Sequence, residues 1–183
     1  MDKNRMRTLT REFLEVMGED PRREGLIDTP RRVADMYAEL TEGYAMNPKE
    51  LLSREWNEVT GMVIAKEIDF FSLCEHHLLP FYGKVHIGYI PSRAVVGISK
   101  LARLVDCFSK RLQLQERMTK QIADALNENL HPLGVAVVVQ ARHLCMQMRG
   151  VKSAADIVTS ELRGQFEKSE TRNEFFDMLR KPM

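Results

Sequence analysis

Two short runs of thiol and imidazole residues carry the clearest chemistry in this sequence. One is Cys74-Glu75-His76-His77, and the other is His143-Leu144-Cys145, far along the chain. The C-x-x-H spacing of Cys74 and His77 lets a tight loop aim two donors at one ion. His143 and Cys145 sit two apart, and on an extended segment such residues point the same way. Thiolate and imidazole together favour zinc over calcium or magnesium. A single such pair reads better as a buried cysteine beside a surface histidine. Here the two runs hold two of three cysteines and three of five histidines, which points to a metal. Cys107 has no histidine near it in sequence and reads as an ordinary buried thiol.

Spacing leaves the type of site open. Four protein ligands would close it and make it structural, whereas three would leave a position for water and make it catalytic. The surplus histidines favour the second arrangement. A zinc neutralised by two thiolates is a weaker acid than one held by imidazoles. It gains from neighbouring histidines that move protons.

Cations cluster elsewhere. Ser99-Lys100-Leu101-Ala102-Arg103 opens a predicted helix, with Lys110-Arg111 further along it. Such a stripe is often only solvated surface, but this one begins at a helix N-terminus, where backbone N–H groups already favour anions. Arg149 follows Cys145 closely and so tethers a cation near the metal segment. Arg31 and Arg32 after Thr29-Pro30 are weaker candidates. Gln113-Leu114-Gln115-Glu116-Arg117 begins another helix. The helix dipole alone accounts for Glu116 in a first turn. The alternative is an amide and carboxylate pair reading a nucleobase edge, since a carboxylate accepts two adjacent N–H donors of guanine.

These residues need a scaffold, and the sequence predicts one. Residues 5–17 carry Leu9, Phe13, Leu14 and Met17 at helical spacing before Gly18. A second helix opens at Asp28-Thr29-Pro30 and runs to Gly43, and Pro48 opens a short third one ending near Trp56. Met62–Phe71 and Phe81–Ile90 read as strands around a loop at Ser72–Pro80. Ser99 is expected to cap a helix to about Leu112, followed by a helix from Glu116 to Leu130. Val135–Ala141 reads as a strand, with Met146–Val151 extending or pairing with it. Ile157–Phe166 is expected as the last strand and Thr171–Arg180 as a closing helix. Helices followed by β-β-α-α-β-β-α make an α+β class with an antiparallel sheet.

Composition narrows the function classes. The chain has 183 residues, 27 basic and 26 acidic side chains and a net charge of +1. This suits one compact globular domain overall. Residues 1–60 are expected as an N-terminal helical segment and residues 61–183 as the catalytic domain. A near-zero charge argues against nucleic acid as partner. Apolar runs such as Val135–Val139 are far too short to span a bilayer, and no secretory signal is visible. Sparse, odd-numbered cysteines without a signal suit reduced thiols and a cytoplasmic location.

The motifs in order resemble the GTP cyclohydrolase I family. They are Phe71-Ser72-Leu73-Cys74-Glu75-His76-His77-Leu78-Leu79-Pro80-Phe81, then Gly83 through Pro91, and Gly97-Ile98-Ser99-Lys100-Leu101-Ala102-Arg103. Gln113-Leu114-Gln115-Glu116-Arg117 and His143 through Val151 complete them. The resemblance implies hydrolysis and rearrangement of GTP to 7,8-dihydroneopterin triphosphate and formate, the entry to tetrahydrofolate and other pterins of one-carbon metabolism. It implies the tunnelling fold, an antiparallel sheet with two antiparallel helices on one face, preceded by an N-terminal helical segment. It further implies a homodecamer of two pentameric rings with shared active sites. By motif, Cys74, His77 and Cys145 would hold one Zn2+ per subunit, with His76, His143 and Ser99 catalytic. Gln115 and Glu116 would read guanine, and Lys100, Arg103, Arg149 and Arg32 would hold the triphosphate and ribose end. Two departures stand out: Gln140 where the family leads us to expect Glu, and a loop at 152–157 about one residue short and without Ser-Lys-Thr. The rival readings are another pterin- or purine-binding enzyme of this fold and a non-enzymatic zinc module that binds a protein.

Overall fold

A computed structural model of the chain describes residues 1–53, 55–57 and 61–181. The described residues form two compact units, Met1–Glu42 and Gly43–Met183. The first holds helices α1 (Lys3–Val16) and α2 (Thr29–Leu40), which pack on one another. Asp2 caps α1 by accepting from the Arg5 backbone N–H at 3.0 Å. Helix α2 begins with Pro30 in its first turn, where a missing N–H costs nothing.

The second unit is an α+β structure of the kind the tunnelling fold implies. Its elements are α3 (Pro48–Leu51), β1 (Glu55–Asn57), β2 (Val63–Cys74), β3 (Pro80–Ile90), β4 (Ala94–Val96), α4 (Ile98–Ser109) and β5 (Leu112–Gln113). They continue with α5 (Gln115–Leu130), β6 (Gly134–His143), α6 (Leu144–Gln147), β7 (Ile157–Gly164) and α7 (Ser169–Arg180). Five strands form a sheet in the order β5-β2-β3-β6-β7. All its pairings are antiparallel except the two-residue parallel contact of β5 with β2.

Alternation along the strands sorts the side chains into two faces. Val135, Val137, Val139 and Ala141 of β6 join Val85, Ile87 and Tyr89 of β3 beneath α4 and α5. Leu101, Leu104, Val105 and Phe108 of α4 and Met118, Ile122 and Leu126 of α5 complete that core. On the opposite face Ala136 and Val138 pack with Phe166 and with Phe175 of α7. Gly88 lets Phe175 approach, since a Cβ there would lie 2.7 Å from its ring.

Beside this second core, Lys66 and Glu67 of β2 together oppose the single residue His86, a β-bulge with Glu67 at φ 59°. The Glu67 backbone N–H donates to His86 Nδ1 at 3.2 Å. Lys66 Nζ donates to the Lys181 carbonyl at 2.6 Å, tying the bulge to the chain just after α7.

Several expectations are corrected. The helix expected from Pro48 to Trp56 stops at Leu51, and Glu55–Asn57 pairs instead with Ala94–Val96. That pairing joins distant segments, which local periodicity does not register. Helix α4 starts one residue before Ser99, with Gly97 at the cap position and no side-chain cap bond. It also ends early, because Leu112 and Gln113 leave it to pair with Leu73 and Cys74. The same pairing extends β2 through Ser72–Cys74, which had read as loop. Met146–Val151 forms no strand among the described residues: α6 turns the chain at Leu144, and Gly150 adopts φ 64°.

Candidate functional site

The two runs that stood out in sequence meet at one end of the sheet, where β2 and β6 finish. Cys74 ends β2, and the next residues turn sharply, with the Leu78 N–H donating to the Cys74 carbonyl at 2.8 Å and Leu78 at φ 55°. This turn brings the His77 ring back over Cys74, with Nδ1 4.0 Å from Sγ. Cys145 arrives from α6. The donor atoms of Cys74, His77 and Cys145 all lie within 4.8 Å of one another.

This donor set fits a divalent cation. Burial raises the Cys145 thiol above its ordinary pKa, and the adjacent Cys74 raises it further, because two thiolates repel at this distance. A zinc ion between them removes that penalty and suits two sulfurs and an imidazole. Arg149 Nη1 stands 3.2 Å from His77 Nε2, so the tethered cation does border the cluster.

His143 departs from the simple expectation. It closes β6 in an extended conformation while Cys145 lies in the helical turn that follows, so the two do not point alike. The imidazole instead stacks on Phe81, ring centres 4.7 Å apart and 4° from parallel. Its Nε2 is 2.8 Å from Gln115 Oε1. Burial lowers the His143 pKa, partly offset by the Glu116 charge.

Gln115 also departs from expectation. Its side chain is 1% exposed, and its amide nitrogen donates to the carbonyls of Val139 and Ile157 at 3.1 and 3.0 Å and lies 3.2 Å from Thr159 Oγ1. Both polar atoms of the amide therefore have partners within the protein. Glu116, next along α5, is exposed, as are His76 and His77.

Ser99, Lys100 and Arg103 lie on the first turns of α4, with Ser99 and Arg103 exposed. Among the described residues no hydrogen bond or ion pair joins them to the cluster. Arg32 belongs to the first compact unit, where its guanidinium reaches Asp28 at 3.5 Å. Gln140 and Arg142 both bind Asp156, at 3.1 and 2.8 Å, which anchors the short loop ahead of β7.

The sequence reading gave no role to Glu75 or Arg117. Both stood in quoted motifs, but local spacing shows nothing of their pairing, because the partners are 42 residues apart. Phe81 was expected only as the first residue of a strand, with no sign that it would support an imidazole.

A sequence model of the family described as GTP cyclohydrolase I matches residues 6–180. The chain belongs to the GTP cyclohydrolase I family. GTP cyclohydrolase 1 of Bacteroides fragilis (strain YCH46) is 53% identical over 173 residues, covering 93% of this chain and 89% of the relative. GTP cyclohydrolase 1 of Leptospira biflexa is 51% identical over 179 residues, covering 96% and 98%. That of Campylobacter jejuni (strain 81-176) is 53% identical over 171 residues, covering 91% and 90%. Among solved structures, the apo archaeosine synthase QueF-Like gives a TM-score of 0.45 at 21% identity, over 57% of this chain and 96% of that one. The chain is thus an enzyme with GTP cyclohydrolase I function. Among the described residues no helix is long and apolar enough to cross a membrane.

Proposed function

We propose that this enzyme converts GTP and water to 7,8-dihydroneopterin triphosphate and formate, using one zinc ion per subunit held by Cys74, His77 and Cys145. The observation that carries this reading is the convergence of those three donors within 4.8 Å beside a half-buried histidine that is not one of them. Zinc bound there supplies a Lewis acid that brings the pKa of water near neutrality.

The protein's own groups account for the rest. His143 and His76 hold and deliver the proton that guanine N7 takes as C8 is attacked and the imidazole ring opens. Ser99 and His143 carry protons while the ribose opens and rearranges to a ketone. Glu116, exposed on the first turn of α5, accepts the guanine N1–H and N2–H donors. Lys100, Arg103 and Arg149 take the triphosphate and ribose end, with Arg32 a further contact. The enzyme works in the cytoplasm as a homodecamer of two pentameric rings with active sites shared between chains.

Incubation with GTP, followed by oxidation and fluorescence detection of a pterin, tests the reaction, and metal analysis of the same sample tests the ion. Formate without pterin would limit the chain to ring opening. No turnover in zinc-loaded protein overturns the reading.

A further inference from the structure

Arg117, on the first turn of α5, makes two short bonds to one carboxylate. Its Nη1 and Nη2 donate to Glu75 Oε2 and Oε1 at 2.6 and 2.8 Å. Glu75 lies between Cys74 and His76, inside the loop that presents two of the three metal-binding side chains.

Besides the pairing of Cys74 with Gln113 and the Arg149 Nη1 that lies 3.2 Å from His77 Nε2, the loop is held by its own turn. Its closing hydrogen bonds run from the Cys74 N–H to the Leu79 carbonyl at 2.9 Å and from the Leu78 N–H to the Cys74 carbonyl at 2.8 Å. One backbone bond, from the Glu75 N–H to the Gln113 carbonyl at 3.1 Å, joins it to the segment leading into α5. One backbone hydrogen bond to the segment ahead of α5 sets a distance there but not the tilt of the loop. Two parallel N–H···O bonds from a planar guanidinium fix both distance and tilt, which a lysine ammonium does not.

The same helical turn reaches the other half of the cluster. Gln115, two residues before Arg117, contacts His143, which precedes Cys145 by two residues. Successive side chains on a helix diverge by about 100°, so Gln115, Glu116 and Arg117 fan outward. One meets the His143 segment, one the cysteine–histidine loop, and the middle one is exposed.

We infer that Arg117 is a positioning residue for the GTP reaction, holding the Cys74–His77 loop through Glu75 in register with Glu116. This rests on the proposed reading of Glu116 as the group that grips the base. Arg117 would then set the place of the reacting carbon relative to the metal-binding loop without touching substrate. Its loss leaves the metal-binding side chains and the base contact in place and loosens only their mutual register.

The test uses full-length, zinc-loaded protein: wild type, Arg117→Met, Arg117→Lys, Glu75→Gln and the double variant Glu75→Gln/Arg117→Met. Each is measured for zinc, melting temperature and pterin formation from GTP. Both residues are partly exposed, so the variants are expected to fold. The Arg117→Met and Glu75→Gln proteins should keep zinc and lose kcat about 10- to 100-fold, with KM changed less than about threefold. Lysine should restore only part of the loss, and the double variant should be no worse than the poorer single one. Wild-type kcat in Arg117→Met, additive losses, raised KM at unchanged kcat, or loss of zinc each overturns the inference. A wild type that forms no pterin defeats the functional reading, and this inference with it. With an active wild type, the variants bear on Arg117 alone.

Discussion

The side-chain oxygen of Gln115 fixes which nitrogen of His143 carries hydrogen. The Gln115 amide cannot be turned around, because its nitrogen faces two backbone carbonyls that only accept. Its oxygen must therefore face His143 Nε2, which donates across 2.8 Å. In the neutral ring Nδ1 is left as the basic nitrogen, while stacking on Phe81 sets the plane of the imidazole.

Replacing Gln115 by Met should therefore affect stability and turnover together. The Val139 and Ile157 carbonyls lose a donor in a buried place, which costs about 1–3 kcal/mol each. Melting should fall by several degrees, at roughly 2–4 °C per kcal/mol in a chain of this size. The freed imidazole should lower kcat as well. Calorimetry and a turnover assay on one preparation check both, and unchanged kcat would show that His143 is oriented by Phe81 alone.

Metal content should separate the ligands from the proton carriers. Cys74→Ser, His77→Ser and Cys145→Ser are expected to lose bound zinc and activity together. His76→Ser and His143→Ala should retain zinc and lose turnover by about 10²- to 10⁴-fold. Zinc missing from purified His143→Ala would mean a closed four-ligand site and remove the catalytic assignment.

Base choice should depend on Glu116. A carboxylate poised for guanine N1–H and N2–H₂ finds no such donor pair on adenine, so GTP should be preferred over ATP by at least about 10²-fold. Glu116→Gln should weaken GTP use sharply, because an amide can satisfy only one of the two donors. Competition between GTP and ATP measures this, and a Gln variant with wild-type kcat/KM would exclude Glu116 as the reader.

The β-bulge should make stability pH-dependent. Burial lowers the pKa of His86, opposed by Glu67 and reinforced by Lys66 and Lys84. The folded state thus prefers the neutral ring, whose Nδ1 accepts from the Glu67 N–H. The unfolded chain binds the proton more readily, so this contribution is present above the ordinary value of 6.5 and is lost as pH falls through the lower folded value. Glutamine accepts the same hydrogen bond without titrating. Between pH 7.5 and 5, His86→Gln should lose less melting temperature than wild type. Parallel melting curves would show that His86 is not the group responsible.

The sheet and its two helices were legible because their signals are local. The β-branched run at 135–139 and the spacing of Met118, Ile122 and Leu126 each announce one element. The cluster of Cys74, His77 and Cys145 was legible for a related reason, since its residues stand in two short runs rich in thiols and imidazoles. What stayed hidden required contacts between distant segments. Cys74 belongs to a strand because Gln113 pairs with it, and Trp56 leaves the helix for a partner at Val95. The family resemblance implies that Gln115 reads guanine, although its place in the chain alone favours a helix-cap role. Only its burial against Val139 and Ile157 shows the amide to be occupied.

The break in chain direction at Leu144 has an evolutionary consequence. His143 and Cys145 are separated by one residue, yet they answer to different neighbours, one to Gln115 and Phe81, the other to Cys74 and His77. Under the proposed roles, mutation could therefore act on acid–base chemistry and ion affinity independently. If the cluster holds an ion as proposed, a descendant that lost the His143 imidazole while keeping both thiols would keep that ion as a staple, leaving the same scaffold open to a different reaction.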